Sequence, residues 1–157
     1  MNTTNTTEGA YIGSDFYTGN NSNTGKSQCI TKFNNAFGST HLLSHRELFA
    51  NAVSNGVASG WAWYDSTVDM MNESMVYGSP VSGAQKTGDT NFNVGIDKSQ
   101  LPLFALAPSF ICNRALWWLR DVVSASNFAL VSPGGYASCG GASGTSVGVR
   151  PACGIKA

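Results

Sequence analysis

A chain of 157 residues with 42% apolar content is long enough to bury one core without disulfide or metal staples, while its charged fraction of 11% is far below the quarter usual for a soluble domain. Positive and negative side chains cancel and no basic run occurs, so the phosphate-neutralising attraction that dominates nucleic-acid binding has no source. The longest apolar stretch, Leu101 to Cys112, is short and broken by Pro102 and Pro108, so no membrane insertion is expected, and the polar start Met1 to Gly9 is not a signal peptide.

Residues 1 to 10 form a polar, Thr/Asn-rich lead-in without periodicity, loosely held or continuing from an upstream segment, and residues 11 to 157 form one domain. Tyr11 to Tyr17 reads as a short strand or an ordered aromatic entry, and Asn20 to Gly25 as a turn-rich loop. From about Lys26 to Phe37, Ile30, Phe33 and Phe37 recur at helical spacing and Gly38 stands where a helix would end, which predicts an amphipathic helix. A second helix is expected from Ser44 to about Asn55. Ser44 and Glu47 have the spacing of a capping box, Leu43 and Leu48 that of a hydrophobic staple, and Gly56 would stop it. His41 and His45 are four apart, but that cap leaves His41 outside the helix and no third ligand stands nearby, so no metal site is assigned.

Trp61 to Tyr64 alternates as a strand with both tryptophans on one face, packed in the core. Ser66 to Gly78 fits either a short helix or a strand, and Met70, Met71 and Met75 read as gap-filling core. Ser79 to Asp97 turns to Gly, Ser, Asn and Thr and marks a long surface loop. Leu101 to Ile111 returns to the core, its prolines favouring extended or turn structure. Trp117 to Leu119 opens the last region as a buried strand. Further strands follow at Phe128 to Val131, Tyr136 to Ser138 and Val147 to Arg150, with Ser132 to Gly135 as a turn. Two early helices and a small, late antiparallel sheet predict an α+β domain with long loops. Cys29, Cys112, Cys139 and Cys153 are dispersed without a C-x-x-C spacing and read as buried small hydrophobes.

The stretch from Trp117 to Pro151 stands apart. Its ends carry Trp117, Trp118, Leu119, Arg120 and Arg150, which belong in packed or hydrogen-bonded settings. Between them, Ser124 to Val149 contains no charge and no Lys, Glu, Gln, Met or Trp, although 18 residues of those five types precede it. These are the types that no pyrimidine-ending codon encodes. The plainer reading is that Gly/Ser-rich turns avoid large side chains.

Ser-His-Arg-Glu from Ser44, Asn-Glu-Ser-Met-Val-Tyr-Gly from Asn72, Lys-Ser-Gln-Leu-Pro-Leu-Phe from Lys98, Trp-Trp-Leu-Arg-Asp-Val-Val-Ser from Trp117 and Gly-Val-Arg-Pro from Gly148 occur in this order. Together they resemble a family of phage structural and bacterial surface proteins with the C-type lectin-like fold, related to the formylglycine-generating-enzyme branch. The resemblance covers the chain from about Tyr11 onward, and the Trp-Leu-Arg and Gly-Val-Arg-Pro pair is its most specific part.

The resemblance implies two helices packed on small antiparallel sheets and a variable protein of a diversity-generating retroelement, in which template adenines are randomised. Asn codons of the form AA-pyrimidine would then produce the biased composition. It implies a framework of Trp117, Trp118, Arg120, Phe128, Ala129, Val131, Gly135, Ala137, Ala142, Ser143, Gly148, Val149, Arg150 and Pro151. It also implies a variable, ligand-binding face of Ser126, Asn127, Leu130, Ser132, Pro133, Gly134, Tyr136, Ser138, Cys139, Gly140, Gly141, Gly144, Thr145 and Ser146. The implied partner is a host-cell surface protein or other macromolecular ligand, with no cofactor or metal, on a virion or an extracellular cell surface, and with homo-oligomeric display on a particle or fibre. The calcium-dependent sugar-binding motifs Glu-Pro-Asn and Trp-Asn-Asp are missing, so sugar binding is not implied.

One aromatic, Tyr136, among glycines suggests roughly micromolar affinity per site, raised by multivalent display. Two other roles compete with ligand binding. One is a capsid or tail decoration protein without a host ligand. The other is an oxidase of the formylglycine-generating type using Cys139 and Cys153, for which Arg150 is the only nearby activating cation in the sequence.

Overall fold

The computed structural model describes residues 25–49, 52–54, 57–59, 62–83, 100–124, 126–141, 144 and 146–157. The expectations for 1–24 and 84–99, and for Trp61, lie outside them, apart from the first helix. Helix α1 spans Gly25–Phe37 and ends at Gly38, whose N–H bonds to the Asn34 carbonyl at 2.8 Å. Phe33 and Phe37, four apart and so on one face, bring their rings to 5.9 Å.

The expected second helix is not formed. Leu42–Leu43 is strand β1, His45–Phe49 is β2, Ala52–Ser54 is β3, Val57–Ser59 is β4, Ala62–Ser66 is β5 and Val68–Met70 is β6. β2 runs antiparallel to β5 over five residue pairs, from His45 opposite Ser66 to Phe49 opposite Ala62, and β3 pairs with β4. A capping box contributes about 1 kcal/mol, too little to outweigh the five-pair ladder against Ala62–Ser66. The two residues between the paired Ser54 and Val57 are Asn55 and Gly56, the dipeptide that most strongly signals a two-residue hairpin. Gly56, the expected helix stop, itself lies outside the described residues.

The ambiguous Ser66–Gly78 stretch contains both alternatives, β6 followed by helix α2 at Glu73–Tyr77. Asn72 caps α2 by accepting the Met75 N–H at 2.7 Å, and Gly78 closes it. Met70, Met71 and Met75 are all buried, as their reading as core requires. Trp63 is not core: it is 37% exposed.

Leu101–Ile111 is helical rather than extended. Helix α3 spans Pro102–Leu106 and a 3-10 turn spans Pro108–Phe110, each opening on a proline. At the first helical position the missing N–H would have had no partner, so proline starts each of these turns, and, as expected, no continuous helix crosses the segment. The segment reaches the core through Phe104 and Ile111, while Leu103, Leu106 and Phe110 face outward.

The last region contains β7 (Trp117–Val122), β8 (Asn127–Val131), β9 (Ala137–Gly141), β10 (Gly148–Val149) and β11 (Pro151–Ile155). One sheet has the order β10-β7-β8-β9 and another β1-β11-β6. The four-stranded sheet is mixed, not antiparallel throughout, because β10 lies parallel to β7. The protein is α+β, with few helices and several small sheets.

The main core forms where one face of β7 and β8, carrying Trp117, Leu119, Ala129 and Val131, meets α2, α3 and Ile111. The opposite face is covered as well: Trp118, Phe128 and Leu130 are buried, with Trp118 and Phe128 edge-to-face at 6.3 Å. None of the four cysteines is fully buried, and Cys112 and Cys139 are exposed, against the reading of them as core hydrophobes.

Leu119→Ala is expected to cost about 2–5 kcal/mol in urea denaturation, the range for emptying a closed core site. Leu106→Ala, at a residue 87% exposed, should stay within about 0.5 kcal/mol of the parent.

Candidate binding face

The scaffold residues singled out in the sequence converge on β7. Trp117, Trp118, Arg120 and Phe128 are buried. The Arg120 backbone N–H bonds to the Met71 carbonyl at 3.0 Å and its Nη1 reaches the Met70 carbonyl at 3.5 Å, joining β7 to the end of β6. Arg150, between β10 and β11, holds its guanidinium 5.0 Å from the Trp117 ring centroid and 5.2 Å from that of Phe104. Its Nη1 donates to the Phe110 carbonyl at 2.7 Å. Partial burial lowers its pKa from the ordinary arginine value, and the two ring faces and the carbonyl offset that desolvation.

The Ser132–Tyr136 turn is fixed from within and from outside. Ser132 N–H bonds to the Tyr136 carbonyl at 2.9 Å, Gly135 N–H to the Ser132 carbonyl at 2.9 Å, and Ser132 Oγ accepts the Tyr136 N–H at 3.2 Å. From outside, the Tyr77 hydroxyl donates to the Gly135 carbonyl at 3.1 Å and the Cys112 thiol to the Pro133 carbonyl at 3.0 Å. Burial, then the nearby Glu73 carboxylate, pushes the Tyr77 pKa up to about 12, so it remains a donor at neutral pH. Only glycine suits position 135: its φ is 88°, and a Cβ there would stand 3.2 Å from the Cys112 Cβ. The turn leaves Tyr136 68% exposed.

Of the proposed variable positions, Ser126, Pro133, Gly134, Tyr136, Cys139, Gly141 and Ser146 are exposed, and Asn127, Ser138, Gly140 and Gly144 are half-buried. Thr145, with the framework positions Ala142 and Ser143, lies outside the described residues.

Two positions are corrected. Leu130 is 4% exposed and Ser132 3%, so neither belongs to a display surface. β8 lies between β7 and β9 with both faces covered, and Ser132 spends its hydroxyl inside the turn. Gly140 is constrained too: a Cβ there would come within 2.9 Å of Leu130 Cδ2 and 3.4 Å of the Trp118 ring, and one at Gly144 within 3.5 Å of that ring. The unbroken apolar run Phe-Ala-Leu-Val is the sequence signal of a strand buried on both faces.

Two carboxylates outside the sequence expectations organise this framework. Glu73 is fully buried and accepts the backbone N–H groups of Val81, Ser82 and Gly83 at 2.8, 2.9 and 2.7 Å. Asp121 of β7 accepts the Glu73 backbone N–H at 2.7 Å and so ties α2, with Tyr77 on it, to the sheet. Burial, and then the Glu73 charge, raise the Asp121 pKa to about 7, with Arg120 opposing. Nothing in the spacing of Glu73 and Asp121, 48 residues apart, marks them as partners.

The cysteines of the oxidase reading are in different sheets, Cys139 opposite Ala129 and Cys153 opposite Val68. Burial raises the Cys153 thiol pKa, the reverse of what an activated nucleophile needs. In comparisons with known proteins, the chain matches no family model, no curated sequence and no solved structure.

The folded protein retains a proton on Asp121 that the unfolded chain releases above pH 3.8. This group's contribution to stability is therefore full below that value and is lost as pH rises through about 7. Over that window it should lower the unfolding free energy by up to about 1.4 kcal/mol per pH unit. Asp121→Asn, which keeps an oxygen for the Glu73 N–H, should flatten this part of the pH profile of urea denaturation. Gly140→Val should lower stability by about 1–3 kcal/mol through overpacking against Leu130 and Trp118.

Proposed function

We propose that this chain is a non-enzymatic ligand-binding domain of C-type lectin-like fold, displayed on a phage particle or bacterial surface, whose target is a host-cell surface protein or similar macromolecule. The observation that carries the reading is Tyr136: a large, largely exposed aromatic on a turn held by hydrogen bonds from Ser132, Tyr77 and Cys112. An aromatic presented without loss of backbone freedom on binding is the economical form of an interface anchor. The surrounding Ser126, Pro133, Gly134, Cys139, Gly141 and Ser146 supply exposed, uncharged positions whose side chains can change without disturbing β8.

A second reading, capsid or tail decoration, is favoured by Leu103, Leu106 and Phe110, three exposed apolar side chains on the α3 segment. Apolar side chains clustered on a surface fit a neighbouring subunit as well as a host target.

Multivalent beads carrying the domain should adsorb to host cells, and Tyr136→Ala should reduce adsorption about tenfold or more without moving the denaturation midpoint. Unchanged adsorption by that variant would leave decoration as the better account. If the window is diversified, sequences of the gene from separate isolates should vary at Ser126, Pro133, Tyr136, Cys139 and Ser146 and retain Leu130, Ser132 and Gly140.

A further inference from the structure

A cavity of about 370 Å³ opens between β1, β6 and β11 on one side and α2 with the Gln100–Pro102 approach to α3 on the other. No residue of the proposed binding face lines it, and the inference drawn from it is independent of that reading. The volume is in the range of small-molecule sites, which are mostly apolar with a few placed polar groups. Met70, Met75 and Leu101 provide apolar wall, and the two thioethers can adapt to a ring and make favourable sulfur–aromatic contacts.

The polar lining is gathered around the end of β6. His45 Nε2 stands 4.0 Å from Oδ2 of the buried Asp69, and Arg120 Nη1 lies 3.5 Å from the carbonyl of Met70, the next residue after Asp69. The Asp69 carboxylate and the Arg120 guanidinium balance each other. Burial keeps the Cys153 thiol in the lining protonated, so it adds no charge. A charged ligand would bring an uncompensated charge against apolar walls, at a cost of several kcal/mol. A hydroxyl can both donate to the Asp69 carboxylate and accept from the Arg120 guanidinium.

We propose that this cavity is a binding site for a small, neutral aromatic alcohol, its ring against Met70, Met75 and Leu101 and its hydroxyl among His45, Asp69 and Arg120. The test uses the full chain labelled with ¹³C at the methionine methyls and titrated with 2-phenylethanol, with phenylacetate and 2-phenylethylamine as anionic and cationic analogues of the same skeleton. Met71 is the internal control, because it packs in the main core and not on the cavity wall. Saturable shifts of the Met70 and Met75 methyls with a still Met71, and binding of both charged analogues weaker by about tenfold or more, are the expected result. No saturable shift up to the solubility limit, shifts of equal size at Met71, or equal affinity for a charged analogue would each overturn the proposal.

Discussion

Burial of β7 on both faces is the constraint on which the rest of the structure depends. One face, through Trp117 and Leu119, completes the core with α2 and α3, while Trp118 on the other is roofed by Gly140 and Gly144. A strand so enclosed has no freedom to shift register, because a slip of one residue would exchange the two faces. Two of its polar side chains are met by partners in place. Arg120 meets the carbonyl of Met70, and Asp121 meets the N-terminus of α2. The turn bearing Tyr136 inherits its position from this strand through β8 on one side and through α2 and Tyr77 on the other.

The surface carries little charge, and the groups that fix the turn are correspondingly neutral: two hydroxyls, a thiol and backbone amides. Such contacts are nearly indifferent to salt, unlike exposed ion pairs, which are screened within about 10 Å at 0.1 M. Asp121, raised to about 7 by burial and the Glu73 charge, ionises near neutral pH. The Arg46–Asp65 contact, at 3.9 Å, lies on the solvent side of the paired β2 and β5, where an ion pair contributes little.

What the sequence reveals follows the range of the interaction that decides each element. Helix α1 is legible because Ile30, Phe33 and Phe37 and the closing Gly38 act within a few turns of one another. The strands at Trp117 and Phe128 and the turn between Ser132 and Gly135 are legible for the same reason. β2 is not, because its conformation is chosen by a partner strand about twenty residues away, and local cap chemistry points the other way. Pro102 and Pro108 break the segment as expected, but whether they start helical turns or extended chain depends on their position within a turn, which composition does not specify. At the candidate face, Tyr136 is read correctly as exposed. Leu130 is not, since its place on the face came from the family resemblance by position, which does not say that both faces of this strand are covered here. Glu73 with Asp121, and His45 with Asp69, become neighbours only through tertiary pairing.

The parallel pairing of β10 with β7 has one more consequence. Gly148 sits opposite Trp117, and its N–H bonds to the Leu116 carbonyl at 2.9 Å, so the chain leaves β7 and returns beside the start of that same strand. Val131, at the end of β8, lies opposite Trp117 on the other side, so the segment from 132 to 147 has both of its ends beside that one residue. Lengthening such a closed segment costs only about 0.6 kcal/mol per doubling. Residues could thus be added within 133–146, clear of Gly135 and Gly140, without moving the point at which the chain rejoins the body at Gly148.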